Sequence, residues 1–331
     1  MMESVDVLII GAGISGLLCA TELQRAGYSV RVIDKGRGVG GRMATRRMAH
    51  ARFDHGAQYF TVRDKRFQAY VDEWLEAGII REWFRTMPQD TNPAGYPRYR
   101  GLHGMTDVPK YLASSLDVHS GEQVVDLARS DGIWIAQTSS GRIYTGFQIV
   151  VTVPLPQAIS LLSTSGLNWA GADLPALRDI QYEKGLATLV LLDGPSGIDQ
   201  PGGLKIDDGP LSWIGDNQQK GISPASCAVT LHATSEFALE HWDSSDELRG
   251  PLMIEAAKNF LASDVVNYTC HRWGFTTPIN HWHEPYFQNP GLKMILAGDA
   301  FGGPRVEGSA LSGIQAGQCL AKSARPLPSA L

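Results

Sequence analysis

The chain has 331 residues, long enough for two cores and too short for three ordinary domains. Its 43% hydrophobic and 19% charged residues are those of a globular protein, and 36 glycines are somewhat many. A formal net charge of -5 gives no ground for a nucleic-acid or acidic-membrane partner.

No apolar run reaches the roughly eighteen residues a membrane helix needs, and Leu186 to Leu192 fits a buried strand. The N-terminus lacks a basic region followed by an apolar stretch, so no signal peptide is expected. Cys19, Cys227, Cys270 and Cys319 lie far apart without C-x-x-C spacing, which suits packing roles in a reducing cytoplasm.

Val5 to Ile10 is a nearly continuous apolar run, as in a strand buried on both faces of a parallel sheet. A helix carrying Ile14, Leu17 and Leu18 on one side follows, with Gly27 at its end. Val30 to Ile33 reads as the next strand, completing a βαβ unit. Helical periodicity runs from Lys65 to about Gly78 and again over Val108 to Leu116. Pro88 to Gly101 reads as a loop with extended segments. Gln123 to Leu127, Trp134 to Gln137 and Ile149 to Val153 read as strands. After Pro154 come strands at Leu186 to Leu192 and Ala228 to His232, and a helix at Asp246 to Leu261. Rossmann-like sequence returns at Met294 to Ala297, followed by a helix from about Ser309 to Ala324; Arg325 to Leu331 is expected to fray.

The fold class expected is α/β: a Rossmann-type dinucleotide-binding domain with an inserted mixed-sheet substrate domain. The discontinuous first domain would comprise 1–62, 102–156 and 270–331, and the second 63–101 and 157–269. A ligand cleft is expected at their junction.

Gly11-Ala12-Gly13-Ile14-Ser15-Gly16 has the G-x-G-x-x-G spacing. Glycines there allow a tight turn, close approach of a pyrophosphate and close helix–strand packing, while the helix N-terminus offers NH groups to phosphate. The hexapeptide alone is a weak signal. The flanking strand and helix, and Asp34 eighteen residues after Gly16 beside Lys35, make it a dinucleotide fingerprint.

Gly41-Arg42-Met43 could add a second pyrophosphate contact, with Arg42 holding phosphate through two NH groups. An ordinary loop with a solvated basic cluster is the alternative. Val124 and Val125 are further candidates beside the cofactor. Near the C-terminus, Asp299 follows a buried strand, and Val306, Glu307, Ser309 and Ala310 open a helix. That N-terminus would stabilise the electron-rich edge of a reduced flavin, with Asp299 accepting from a ribityl hydroxyl.

These motifs together resemble the flavin amine oxidase superfamily over nearly the whole chain. The block Asp54-His55-Gly56-Ala57-Gln58-Tyr59-Phe60-Thr61, with Leu231 to Thr234 and Arg272-Trp273, is similar to its bacterial renalase branch. The resemblance implies non-covalent FAD, with His55, Gly56, Ala57 and Gln58 beside it. It also implies oxidation of 2- and 6-dihydro-NAD(P) isomers to NAD(P)+, with O2 reduced to H2O2.

Hydride loss from a dihydropyridine leaves an aromatic ring and needs no general base, so no catalytic side chain is expected; flavin N5 carries the hydride. No metal ligands cluster, and His281 and His283 are expected at the surface. Tyr59 could line the flavin face or pack in the core. His232, Trp273 and Thr188 are candidate walls of the nicotinamide site, although His232 and Trp273 could equally be core residues. Arg63, Arg98, Arg100 and Tyr96 could meet the phosphates or base of the substrate, although surface arginines are common. Arg305, just before Val306-Glu307-Gly308, would repel a protonated amine. The competing readings are an amine oxidase or desaturase for a small amine or apolar substrate, and a non-catalytic flavoprotein.

Overall fold

The computed structural model describes residues 4–87, 94–206 and 209–322. The loop expected at Pro88 to Gly101 therefore falls partly outside the described residues, and Arg325 to Leu331 wholly so. The chain divides into two compact units, 1–41 with 109–181 and 278–331, and 42–108 with 182–277.

The first unit holds an eight-stranded sheet. Its main path runs Phe287–Asn289, Met294–Leu296, Ile143–Val151, Val5–Ile10, Val30–Asp34 and Asp117–Ser120. Val5–Ile10 pairs in parallel with Val30–Asp34 and with Ile143–Val151, which in turn pairs in parallel with Met294–Leu296. The antiparallel pairs lie at the edges, where Ile133–Thr138 joins Ile143–Val151 and Phe287–Asn289 joins Met294–Leu296. Every residue of Val5–Ile10 is buried, as its unbroken apolar run requires.

Two helices, Ile14–Arg25 and Val306–Ala321, pack together in this unit. A Cβ on Gly313 would lie 2.0 Å from the Ser15 carbonyl oxygen, so only a bare Cα lets the backbones approach this closely. The last helix begins at Val306, three residues before the expected Ser309, with Arg305 as its uncapped N-terminal neighbour.

The second unit holds a five-stranded sheet, Gly203–Lys205, Leu211–Asp216, Ala228–Ala233, Gly185–Leu192 and Val265–Trp273, antiparallel throughout. Mixed pairing thus belongs to the first unit's sheet. The helix Asp246–Leu261 covers one face; Met253, Ala257 and Leu261 join Leu186, Val190, Leu192 and Leu231 in the core there. On the other face the hairpin Thr45–Met48/Ala51–Asp54 buries Ala51 and Phe53 against Leu189 and Ala228.

That packing explains why 42–62 group with the second unit, where the sequence assigned them to the first. Residues 157–181 group with the first unit because Leu155–Thr164 lies on the strand Val124–Ser130 and the Trp169 ring meets Phe287 edge-on. The periodicity expected from Lys65 to about Gly78 forms the helix Lys65–Glu76, and the strand Ile80–Phe84 follows it. No helix among the described residues is long and apolar enough to cross a membrane.

Candidate cofactor and substrate site

In the first unit the chain leaves Val5–Ile10 through Gly11, whose φ of +112° is open to glycine and strained for other residues. A Cβ on Gly16 would sit 2.0 Å from the Gly11 carbonyl oxygen, so the helix can start this close to the strand only without a side chain. Gly13 differs: its φ is -76°, and nothing lies within 4 Å of where its Cβ would be. The space above it is open, next to a helix N-terminus that has no side-chain cap. Ser15 Oγ is buried there without a hydrogen-bond partner. An open space bounded by uncapped NH groups and an unpaired hydroxyl fits a dinucleotide phosphate.

Asp34 closes the turn. Its Oδ2 accepts from Ala12 N at 2.6 Å and its Oδ1 from Gly36 N at 2.6 Å. Burial raises its pKa above the ordinary carboxyl value, and those two NH groups oppose the rise. Each oxygen keeps a further lone pair for a ribose hydroxyl. Gly40 N donates to Ala12 O at 2.8 Å, and a Cβ on Gly41 would lie 3.9 Å from Gly13 Cα, which sets the Gly-Gly turn against the phosphate turn.

Lys35 reaches Gln157 Oε1 at 3.2 Å. Val124 opens a strand, and the adjacent Val125 is exposed. Asp299 starts a short buried helix, held from behind by Gly298 N donating to Ser312 Oγ at 2.8 Å. Glu307 and Ala310 are buried, Val306 and Ser309 half-buried, and Arg305 is half-exposed 4.0 Å from Glu307.

In the second unit three segments converge. The Arg42 carbonyl accepts from Ala57 N at 2.9 Å, and a Cβ on Gly56 would lie 2.1 Å from that same oxygen. Arg42 Nη1 donates to Thr276 O at 2.9 Å, and Met43 is buried beside it. His55 is buried between His271, at a ring separation of 4.7 Å, and Trp273, at 5.0 Å; Trp273 Nε1 donates to His55 O at 2.9 Å. Burial, then the neighbouring His271 and Arg46, lower the His55 pKa to about 3. His232 Nε2 stands 3.5 Å from Gln58 Nε2, and burial lowers its pKa to about 4. Both imidazoles are therefore neutral near pH 7.

The sheet register gathers these groups. His232 pairs with Trp213 on one side and Ala187 on the other, and His271 pairs with Ala187, so all four share one face. The Tyr59 ring lies 5.7 Å from that of Trp213, 6.4 Å from Trp83 and 6.0 Å from Phe84. Arg63 stacks over the exposed Tyr96 ring at 5.7 Å.

Two expectations are corrected. Thr188 alternates onto the opposite face of the sheet, where its hydroxyl points to Met253 Sδ at 3.2 Å within the helix-covered core. Arg98 is buried rather than reaching outward; Nη1 donates to Arg85 O at 2.5 Å, and its guanidinium packs over Phe84 and Tyr59. Arg100 likewise gives Nη1 to Leu102 O at 2.8 Å. Sequence reasoning missed Trp213, Trp83, His271 and Lys220. The alternation of Leu211, Trp213 and Gly215 was the one signal available for the first of them.

The family profile for flavin-containing amine oxidoreductases matches residues 88–321, and that for NAD(P)-binding Rossmann-like domains matches 9–74. The chain belongs to the flavin-containing amine oxidoreductase family. FAD is its cofactor.

Among curated relatives, an L-amino acid dehydrogenase of Synechocystis sp. is 38% identical over 73 residues, 22% of this chain and 16% of that protein. The FAD-binding monooxygenase acrE of Aspergillus aculeatus is 30% identical over 141 residues, 42% of this chain and 21% of that one. The matched stretches thus span 16% and 21% of those relatives' lengths.

A provisionally named protoporphyrinogen oxidase structure from Exiguobacterium sp. 255-15 superposes with a TM-score of 0.76 at 13% identity, covering 97% of this chain and 99% of the other. A putrescine oxidase triple mutant gives a TM-score of 0.74 at 15% identity, covering 97% and 99%. At such identities the likeness shows the family's fold.

Proposed function

We propose that this family member is an FAD-dependent oxidase that converts 2- and 6-dihydro-NAD(P) isomers to NAD(P)+ and passes the electrons to O2. One observation carries the reading: the face of the second unit's sheet opposite the helix Asp246–Leu261 joins stacking aromatics to imidazoles that stay neutral near pH 7. Such a surface suits a flat, uncharged dihydropyridine ring, and a donor whose own nitrogen lone pair expels hydride needs no base. When bound, FAD supplies the hydride acceptor at N5.

In this reading the turn Gly11 to Gly16, with Asp34 and the Gly41–Arg42 turn, binds the cofactor's pyrophosphate and ribose. The helix N-terminus at Val306 offers positive charge to the flavin ring. Tyr59, Trp273 and His232 orient the nicotinamide and exclude water, while Arg63 and Tyr96 attract the substrate's distal half. Arg305 disfavours protonated amines by repulsion.

The test is product analysis in air. Borohydride-generated dihydro-NAD isomers should yield NAD+ and H2O2 in equal amounts. H2O2 formed with primary amines and not with dihydronicotinamides would replace this reading with an amine oxidase.

A further inference from the structure

We propose that Gln58 and Trp213 read a primary carboxamide on the substrate, as an acceptor and a donor that both lie beside Gly215. The inference deepens the function above and rests on it in one respect, that the carboxamide is the nicotinamide's.

Gly215 lies inside the strand Leu211–Asp216, and its backbone is not in the left-handed region that favours glycine. Any residue could take that conformation, so the absence of a side chain is a matter of space. A Cβ there would stand 2.9 Å from Gln58 Oε1 and 3.0 Å from Trp213 Nε1. Its cross-strand partner is Gly203, where a Cβ would meet the Trp213 ring at 3.0 Å. Two bare positions thus sit side by side next to one indole.

The two atoms beside Gly215 share a second property. Gln58 is 6% exposed and Trp213 9%, yet Oε1 and Nε1 have no hydrogen-bond partner. The amide of Gln58 cannot relieve this by turning over, because its Nε2 donates to Asp54 O at 2.6 Å; a flip would bring two oxygens together. One buried acceptor and one buried donor are thus left unpaired beside the same glycine, each at a desolvation cost.

A carboxylate offers two acceptors and an ammonium only donors, so each leaves one of the pair unmatched. A primary amide offers NH2 to Oε1 and C=O to Nε1. Both atoms are closed off from solvent, so the Tyr59 ring, 5.7 Å from that of Trp213, is required to swing aside when the amide enters.

The experiment measures equilibrium binding to the FAD-loaded protein by perturbation of the flavin spectrum. The probes are NAD+, its 3-acetylpyridine analogue, which lacks the NH2, and its nicotinic acid analogue. Free nicotinamide and free 3-acetylpyridine form a second pair. The amide-bearing member of each pair should bind about tenfold more tightly, the scale of one unmade buried hydrogen bond. Trp213→Phe, which removes the donor and keeps an aromatic ring, should weaken the amides and the acetyl analogues alike, about tenfold, because both offer a carbonyl to Nε1. Melting curves of the variant check its fold, and the wild-type series needs no variant at all.

Equal binding within both pairs, no binding by any amide, or full amide affinity in a folded Trp213→Phe protein would overturn the inference and leave the niche to a buried water. If amides are preferred yet no dihydronicotinamide yields NAD+, the proposed reaction fails and carboxamide recognition stands. If NAD+ is formed without amide preference, this inference alone fails.

Discussion

Lys220 and Asp54 form an ion pair shut off from solvent, with Nζ 2.7 Å from Oδ2. Asp54 Oδ1 also accepts from Thr45 Oγ1 at 2.6 Å and Met105 N at 2.9 Å, so one carboxylate ties three segments together beneath the 55–59 stretch. Burial lowers the Lys220 pKa, and Asp54 opposes that shift.

Breaking the pair from one side leaves a buried charge without a partner. Lys220→Met should therefore lower stability by about 3–5 kcal/mol in urea unfolding. A loss below ~1 kcal/mol would mean that Asp54 is satisfied by its other donors.

The phosphate turn makes opposite predictions for two glycines. Gly13→Ala places a methyl in open space, so apo-protein melting should stay within about 2 °C, while FAD affinity falls at least about tenfold. Gly16→Ala drives a methyl into the Gly11 carbonyl and should lower both stability and FAD binding. Fluorescence titration with FAD and circular dichroism melts separate the two effects.

Thr188→Val tests a correction. Because the hydroxyl lies in the helix-covered core, steady-state kcat/KM should remain within about twofold of wild type, with any effect confined to stability. A selective rise in KM would return Thr188 to the substrate site.

Two buried imidazoles should make the protein acid-sensitive. His232 titrates near 6.5 when unfolded and about 4 when folded, so the unfolded state binds more protons between those values. Stability from this group is complete above pH 6.5 and declines by about 3 kcal/mol as pH falls to 4, at ~1.4 kcal/mol per unit. His55 adds a loss of the same sign down to about pH 3. His232→Asn should flatten melting temperature against pH over this window.

The first unit was readable in the sequence because its signals are local. An apolar run, a glycine turn and Asp34 lie within thirty residues or so, and backbone chemistry fixes what each can do. The second unit hid more. Thr188 sits in a run, Leu186 to Leu192, that is apolar on both sides, so periodicity could not say which face it takes; only its register with Leu231 does. Arg98 looked like a surface cation until Tyr59 and Phe84 enclosed it. Lys220 follows an unremarkable Asn-Gln-Gln turn, and its partner is far away in the chain.

The central claim is that a dihydronicotinamide gives its hydride directly to the flavin of this protein. Anaerobic mixing of the yellow FAD-loaded protein with 2- and 6-dihydro-NAD should bleach the flavin within the mixing experiment, and admitting O2 should restore the colour. A flavin that stays yellow with both isomers and bleaches with an amine would contradict the account.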